Sequence, residues 1–270
     1  MFAAVTVVVA CAFGVWIPFG PHLRRASSDF IGHTFYCAPQ YVALRDTRFE
    51  APKPAKGLVR CVFGGISFDL PFEMASRPKI VRSSPSSIWL VFEDGGRLMQ
   101  MVLAPPDPGT MISAPPPELV NETIPGLLAR VAAVSSKDLS FGLTRSELRI
   151  YEWAIANRES IRLDELSMDR YARRSSETLD AILISTHPDA QLSEKQIRSW
   201  LVWQTRGLPQ SGSMTFADST GKDADWINAL ATSIEFVLVV GKDDVAADEF
   251  LMMPDDEILK LLKSAVPEQL

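Results

Sequence analysis

The sequence predicts an α+β protein with an N-terminal membrane segment, followed by a small β-rich unit and an antiparallel sheet with packed helices. The first 23 residues contain no Lys, Arg, Asp or Glu. From residue 58 onward, short apolar runs alternate with glycine-bearing turns, which is typical of β-hairpins. The second half carries amphipathic segments with helix-capping residues. Because the strands come as hairpins rather than as repeated βαβ units, antiparallel pairing is favoured.

The apolar run at residues 2–19 is long enough to cross a membrane. As a helix it would span roughly 27 Å, close to the ~30 Å hydrocarbon core of a bilayer. Trp16 and Pro18 lie where such a helix would reach the interface and end. We therefore expect residues 1–23 to form a single-pass anchor.

Three alternatives for this segment stay open. A cleaved signal peptide would use Ala10-Cys11-Ala12 as its small-residue exit, and a lipoprotein box would make Cys11 a lipidated N-terminus. Both lack a basic region ahead of the apolar run. A buried core helix is the third alternative.

The side of the membrane is argued in two directions. Arg24 and Arg25 follow the apolar run, so the positive-inside rule would leave the body of the chain in the cytoplasm. A short anchor carrying a large body is also a common way to tether an exported domain. We take a membrane-anchored, extracytoplasmic body as the expectation.

Composition narrows the classes of partner. The chain has 47% hydrophobic and 22% charged residues, as expected of a globular protein, and a net charge of −6. Without a Lys/Arg-rich run it offers no electrostatic surface for nucleic acid. The expected partners are the membrane, through the N-terminal segment, and another protein.

The chain divides at changes in composition. Residues 24–57 are predicted to be a connector and residues 58–104 a β-rich unit, in which two apolar runs within 88–103 surround a Gly-bearing turn and predict a hairpin. Residues 105–117 are rich in proline and predict a linker. Residues 118–270 are the predicted α+β domain.

The elements of the second half follow from spacing and caps. Residues 117–134 have approximately helical spacing, and Thr144 with Glu147 forms a capping-box pattern for a helix over 143–157. Residues 164–174 are charged on most faces. Residues 178–185 fit either a strand or a buried helix end.

The segment 191–207 is ambiguous between a helix and a strand. Ser193 with Gln196 resembles a capping box, whereas Trp200 to Trp203 is good strand material. Because residues 213–217 predict a strand that needs an antiparallel neighbour, we expect a strand over 197–204. Downstream, Asp223 or Asp225 is expected to cap a helix.

Two short elements are predicted near the C-terminus. Residues 236–240 predict a strand. Pro254 and the three acidic residues after it predict the start of the last helix.

Tests for catalytic motifs leave only weak candidates. His187 and Asp189 could serve a hydrolase, but Ser211-Gly212-Ser213 lacks the glycine spacing of a nucleophile elbow. Gly221-Lys222 lacks the Ser/Thr and the upstream glycine of a phosphate-binding loop. No cofactor is therefore expected.

The cysteines allow either a disulfide or free thiols. Cys37 and Cys61 could form one bridge in an oxidising compartment, and two buried free thiols fit equally well. His33 with these two cysteines would supply three ligands, whereas a structural zinc site normally has four. No metal is expected.

These observations predict a membrane-tethered, non-enzymatic binding or assembly protein. The alternative is a hydrolase-type enzyme whose site is assembled from scattered residues around His187. An assembled site leaves no local motif, so the absence of motifs does not decide between the two.

Overall fold

A large mixed sheet forms the centre of the molecule in a computed structural model, which describes residues 41–48, 57–63, 66–84, 87–104, 112–139, 143–187, 197–206, 211–218 and 225–236, with 254, 256, 257 and 260. The strands are β1 Arg45–Thr47, β2 Leu58–Phe63, β3 Ile66–Pro71, β4 Pro78–Ser84, β5 Ser87–Asp94, β6 Arg97–Ala104, β7 Met168–Ser175, β8 Leu179–Thr186, β9 Ser199–Thr205, β10 Ser211–Asp218 and β11 Glu235–Phe236. The helices are α1 Phe72–Ala75, α2 Ile124–Ala133, α3 Arg145–Ile161 and α4 Asp225–Ser233.

The eight-stranded sheet joins the two halves of the chain. Its order is β1-β7-β8-β9-β10-β6-β5-β4, and a three-stranded sheet has the order β11-β3-β2. Within the described ranges, every strand pairing is antiparallel except the parallel pair β1–β7. The predicted α+β class with a large antiparallel sheet is confirmed. Strands from both sides of the Pro-rich segment share this sheet, because β6 pairs with β10 from Ala104↔Ser211 to Arg97↔Asp218.

The predicted hairpin over 88–103 is confirmed as β5–β6. Its ladder runs from Ile88↔Leu103 to Asp94↔Arg97 and closes through Gly95 and Gly96. Both glycines have positive φ, 48° and 107°. A two-residue turn with positive φ at both positions matches the twist of the flanking strands, so glycine is favoured there.

The ambiguous segment is a strand, as predicted. Residues 199–205 form β9, which lies between β8 and β10. Leu201 and Trp203 are buried on one side of the sheet and Val202 on the other. Such two-sided burial explains why the run lacks the alternation that would have distinguished it from a helix.

Two hydrophobic cores cover the two faces of the sheet. On one face, side chains of β5, β6, β8, β9 and β10 pack against the small sheet, α1 and α4. There Trp226 of α4 meets Phe216 of β10 edge to face, with ring centroids 5.5 Å apart. On the other face α2 and α3 pack over β7, β8 and β9, burying Ile182, Ile184 and Val202.

The connector and the charged segment both contain strands that the pattern did not predict. Arg45–Thr47 of the connector forms β1, and most of the segment 164–174 belongs to β7. The arginines of β7 find backbone acceptors: Arg170 donates to the carbonyl of Thr186 and Arg174 to that of Thr232. These bonds allow a charged sequence to lie in a sheet.

Several predictions fall outside the described residues. They concern residues 1–40, most of the Pro-rich linker, Asp189, the Ser193 and Gln196 capping pattern, Asp223, and residues 237–240 of the predicted strand 236–240. Of the last predicted helix, Asp256, Glu257 and Lys260 are described, and all are helical. Among the helices in the described ranges, none combines the length and hydrophobicity that crossing a bilayer requires.

Candidate functional site

An open cleft of about 330 Å³ lies between α2 and α3. α3 contributes residues 147, 150, 151 and 154, whose spacing places them on one helix face. α2 and the turn after it form the opposite wall. The lining consists of Arg130, Ala133, Val134, Asp138, Leu143, Glu147, Ile150, Tyr151 and Ala154, most of which are apolar.

A fully buried carboxylate fixes the N-terminal end of α2 on the sheet. Asp180 of β8 accepts hydrogen bonds from Arg173 Nε at 3.1 Å and Nη2 at 2.8 Å. It also accepts one from the hydroxyl of Thr123, the N-cap residue of α2. The same arginine donates to Glu122 at 3.1 Å. Hydrogen bonds to Asp180 and to Glu122 raise the pKa of Arg173, so its guanidinium stays protonated.

The first turn of α2 has its backbone donors occupied. Ile124 N–H donates to Gln204 Oε1 at 2.8 Å, and Gly126 N–H donates to Thr123 Oγ1 at 3.2 Å. A free helix N-terminus could bind an anion, but these partners already satisfy the donors. This end of α2 therefore serves to place the helix.

A buried arginine fixes the other end of α2 to α3. Arg158 of α3 donates to the carbonyl of Val134 at 3.0 Å and makes two hydrogen bonds to Asp164, at 3.0 and 2.7 Å. Its guanidinium also lies over the ring of Tyr41, 5.6 Å from the centroid. We call the turn after α2, residues 134–138, the C-terminal wall of the cleft. Its position thus depends on contacts among three segments: this turn, α3 with the residues that follow it, and the segment that contains Tyr41.

The charged groups at the rim of the cleft are all engaged. Glu147 completes the predicted capping box, accepting from Thr144 N–H at 2.7 Å and from the Thr144 hydroxyl at 2.8 Å. These bonds lower the pKa of Glu147. Asp138 accepts from Ser135 N–H at 2.8 Å, and Arg130 lies 3.5 Å from Glu122. A carboxylate held ionised in a cap is poorly suited to proton transfer.

The sequence-predicted catalytic residues lie elsewhere. His187 is exposed, directly after the end of β8, and does not line the cleft. Asp189 is outside the described residues, so the pair stays a prediction. Ser211-Gly212-Ser213 belongs to β10, where Gly212 lies opposite Trp203. Across the described ranges, no group of three or more His, Cys, Asp or Glu side chains is arranged to hold a metal ion.

Cys61 is buried in β2 and has no disulfide partner among the described residues. Burial, with a smaller effect of Asp69, raises the pKa of Cys61 to about 12. Cys37 lies outside the described residues, so the pairing of these two cysteines stays a prediction.

We expect Cys61 to resist alkylation in the native protein. With its pKa near 12, only about one thiol in 10⁴ is ionised at pH 8. In a variant with Cys11 and Cys37 replaced by serine, iodoacetamide should label Cys61 rapidly only after addition of guanidinium. The thiol ionises more easily in the unfolded chain, so its contribution to stability should be lost as pH rises from 9 toward 12. Rapid labelling of the folded protein would contradict this account.

Sequence reasoning missed the residues that build the cleft, although one signal was present. Asp180 is a lone carboxylate in the apolar run 178–185, and an acid in a buried strand requires a partner. Arg173 lies seven residues earlier, on the neighbouring strand of a hairpin in which Arg173 faces Ile182. This diagonal relation places both charges on one face of the sheet.

Comparison with known proteins does not assign the chain to a family. No protein-family model matches the chain, and the search of curated proteins found no match.

Proposed function

We propose that this chain is a membrane-tethered, non-enzymatic binding or assembly protein, and that the cleft between α2 and α3 takes an apolar side chain of a protein partner. The observation that carries the proposal is the character of the cleft. Its floor and walls are largely apolar, while its charged rim groups already have partners. Such a surface suits association better than chemistry.

The energetics of apolar contact support this reading. Transferring one Leu or Ile side chain fully out of water contributes about 1.5–3 kcal/mol. A protein interface often gains most of its binding energy from a few anchors of this kind, with polar groups around them. Tyr151, Ile150 and Leu143 are the residues in the cleft that would contact such an anchor.

Proton-transfer chemistry is less well supported at this site. A general acid or base needs a titratable group that is free to exchange a proton near neutral pH. Glu147 has a lowered pKa and both of its capping bonds in place. The hydrolase alternative depends on His187, which the cleft does not include.

Photo-cross-linking from the cleft tests the proposal. A benzophenone amino acid is placed at Ala133, an exposed residue that lines the cleft, in the full chain in its native membranes. The matched control carries the same group at Val120, an exposed residue ahead of the other end of α2. We expect a discrete adduct from position 133 alone, with a yield reduced at least fivefold by Ile150→Glu.

Two results would contradict the proposal. One is equal adduct formation from positions 133 and 120, and the other is no adduct from position 133 in membranes that contain the folded protein. Carbonate extraction of the same membranes tests the tether, since an anchored chain stays in the pellet. Release of the chain into the carbonate supernatant would remove the membrane part of the proposal.

A further inference from the structure

We infer that residues 41–47 act as a latch that positions the C-terminal wall of the cleft, with Tyr41 as its positioning residue. The latch lies against the end of α2 and then joins the sheet as β1. The inference rests on the proposed binding role of the cleft and names how that site is held in shape. Its physical basis is a set of contacts that converge on the turn after α2.

The main chain of the latch is hydrogen-bonded to that turn in both directions. Tyr41 N–H donates to Ser136 Oγ at 2.9 Å, and Ser136 N–H donates to the carbonyl of Tyr41 at 2.9 Å. Ser136 lies between Val134 and Asp138, both of which line the cleft. Movement of Tyr41 would therefore release the segment that carries two cleft residues.

The side chain of Tyr41 makes a second connection, through Arg158. Its ring lies under the Arg158 guanidinium, and its hydroxyl donates to Glu159 at 2.7 Å. Arg158 in turn donates to the carbonyl of Val134 at 3.0 Å. Tyr41 is thus connected to the cleft wall through a single side chain, that of Arg158, which is almost fully buried.

The remaining contacts of the latch are few, so it can open without unfolding the core. Leu44 is the buried residue in 41–48, and its N–H donates to the carbonyl of Ala132 at 2.9 Å. β1 pairs with β7 over three residues, and Thr47 Oγ1 donates to the carbonyl of Tyr171 at 2.9 Å. A segment with one buried side chain and a short ladder has a low free energy of local opening.

The location of the latch, between the predicted membrane segment and the sheet, would allow it to couple the two. The predicted membrane segment precedes it in the chain, so a change in how the chain leaves the membrane would reach Tyr41 before it reaches the sheet. Undocking of Tyr41 would loosen the turn at 134–138 and alter the shape of the cleft. Binding in the cleft and docking of the latch would then favour each other, as two events that need the same turn in place.

Hydrogen exchange in the full chain tests the latch without any ligand. The variants are Tyr41→Ala, which removes the ring and the hydroxyl, Tyr41→Phe, which keeps the ring, and Val42→Ala at an exposed neighbour as the matched control. Peptides covering 132–138 report on the cleft wall, and peptides covering 226–234 report on α4 in the opposite core. We expect Tyr41→Ala to speed exchange of 132–138 about tenfold and to leave 226–234 unchanged.

The conservative variant separates positioning from general destabilisation. Tyr41→Phe should recover most of the protection of 132–138, because it restores the ring contact with Arg158 that Tyr41→Ala removes. Val42→Ala should match the wild type. Equal acceleration of both peptides in Tyr41→Ala would overturn the latch, and so would unchanged exchange at 132–138.

Photo-cross-linking from position 133, repeated in the same Tyr41 variants, tests the latch and the proposed binding role of the cleft separately. A yield that falls in Tyr41→Ala and returns in Tyr41→Phe supports both. Absence of an adduct in every variant, with exchange changed as expected, would refute the binding role and leave the latch standing. A full yield in Tyr41→Ala with unchanged exchange would refute the latch and leave the binding role standing.

Discussion

Replacing Arg173 by alanine is expected to lower the free energy of unfolding by about 3–5 kcal/mol. The change leaves the carboxylate of Asp180 fully buried without the guanidinium that makes two hydrogen bonds to it, at 3.1 and 2.8 Å. The Thr123 hydroxyl is the remaining donor. A buried charge that loses its partner costs far more than an exposed one, because water cannot replace the lost bonds.

The neighbouring arginine provides the matched control. Arg206 Nη2 lies 3.9 Å from Asp180, and nearly half of its side chain, 45%, is exposed. Arg206→Ala should therefore cost less than about 1 kcal/mol. In the Arg173→Ala background, Asp180→Asn should restore part of the loss by removing the unpaired charge. Urea unfolding followed by circular dichroism measures the wild type and these three variants, and equal losses for Arg173→Ala and Arg206→Ala would contradict the buried-pair account.

Gly212→Ala is expected to destabilise the protein by about 3 kcal/mol through overpacking. A Cβ atom built on Gly212 would approach three atoms of the Trp203 indole to less than 3.0 Å. Trp203 lies directly across the β9–β10 ladder from Gly212 and is almost completely buried, so its ring has no room to move aside. The glycine is thus required by the indole that covers it.

A double variant tests whether this clash is the cause. Trp203→Phe alone should cost stability by leaving a cavity, but Gly212→Ala should then cost much less in the Trp203→Phe background than in the wild type. Ser211→Ala, one residue away on the other side of the strand, should change the free energy of unfolding by less than about 0.5 kcal/mol. An unchanged cost of Gly212→Ala in the Trp203→Phe background would rule out the steric explanation.

Local features of the fold could be predicted because their causes are local. The β5–β6 hairpin follows from two adjacent glycines between apolar runs. α3 begins directly after its N-cap Thr144, because the capping box is complete within four residues. The strand character of 199–205 was decided by its neighbour, since β10 had a clearer pattern. These features need no knowledge of what lies across the molecule.

Features that depend on distant parts of the chain were not predictable from the pattern. β1 forms because β7 provides a sheet edge with which it can pair. β7 can carry its arginines within the sheet because they donate hydrogen bonds to a carbonyl and to a buried carboxylate of β8. The cleft arises where α2 and α3 approach, and residues from both ends of α2 set that approach through Arg173 and Arg158. The pattern at Ser211-Gly212-Ser213 says nothing of its packing against Trp203, which becomes visible only once the strands are paired.

The position of β10 has a consequence for how the chain folds as it is made. β10 lies between β6 and β9, so two strand edges stay unpaired until residues 211–218 have left the ribosome. Its pairing with β6 also closes a loop of more than 100 residues, which slows folding because the entropy of closure comes before the contacts. During that interval the early β4–β5–β6 meander presents an open edge next to apolar side chains, the form in which nascent β-proteins aggregate. We therefore expect the yield of native protein to rise when that edge is protected during synthesis.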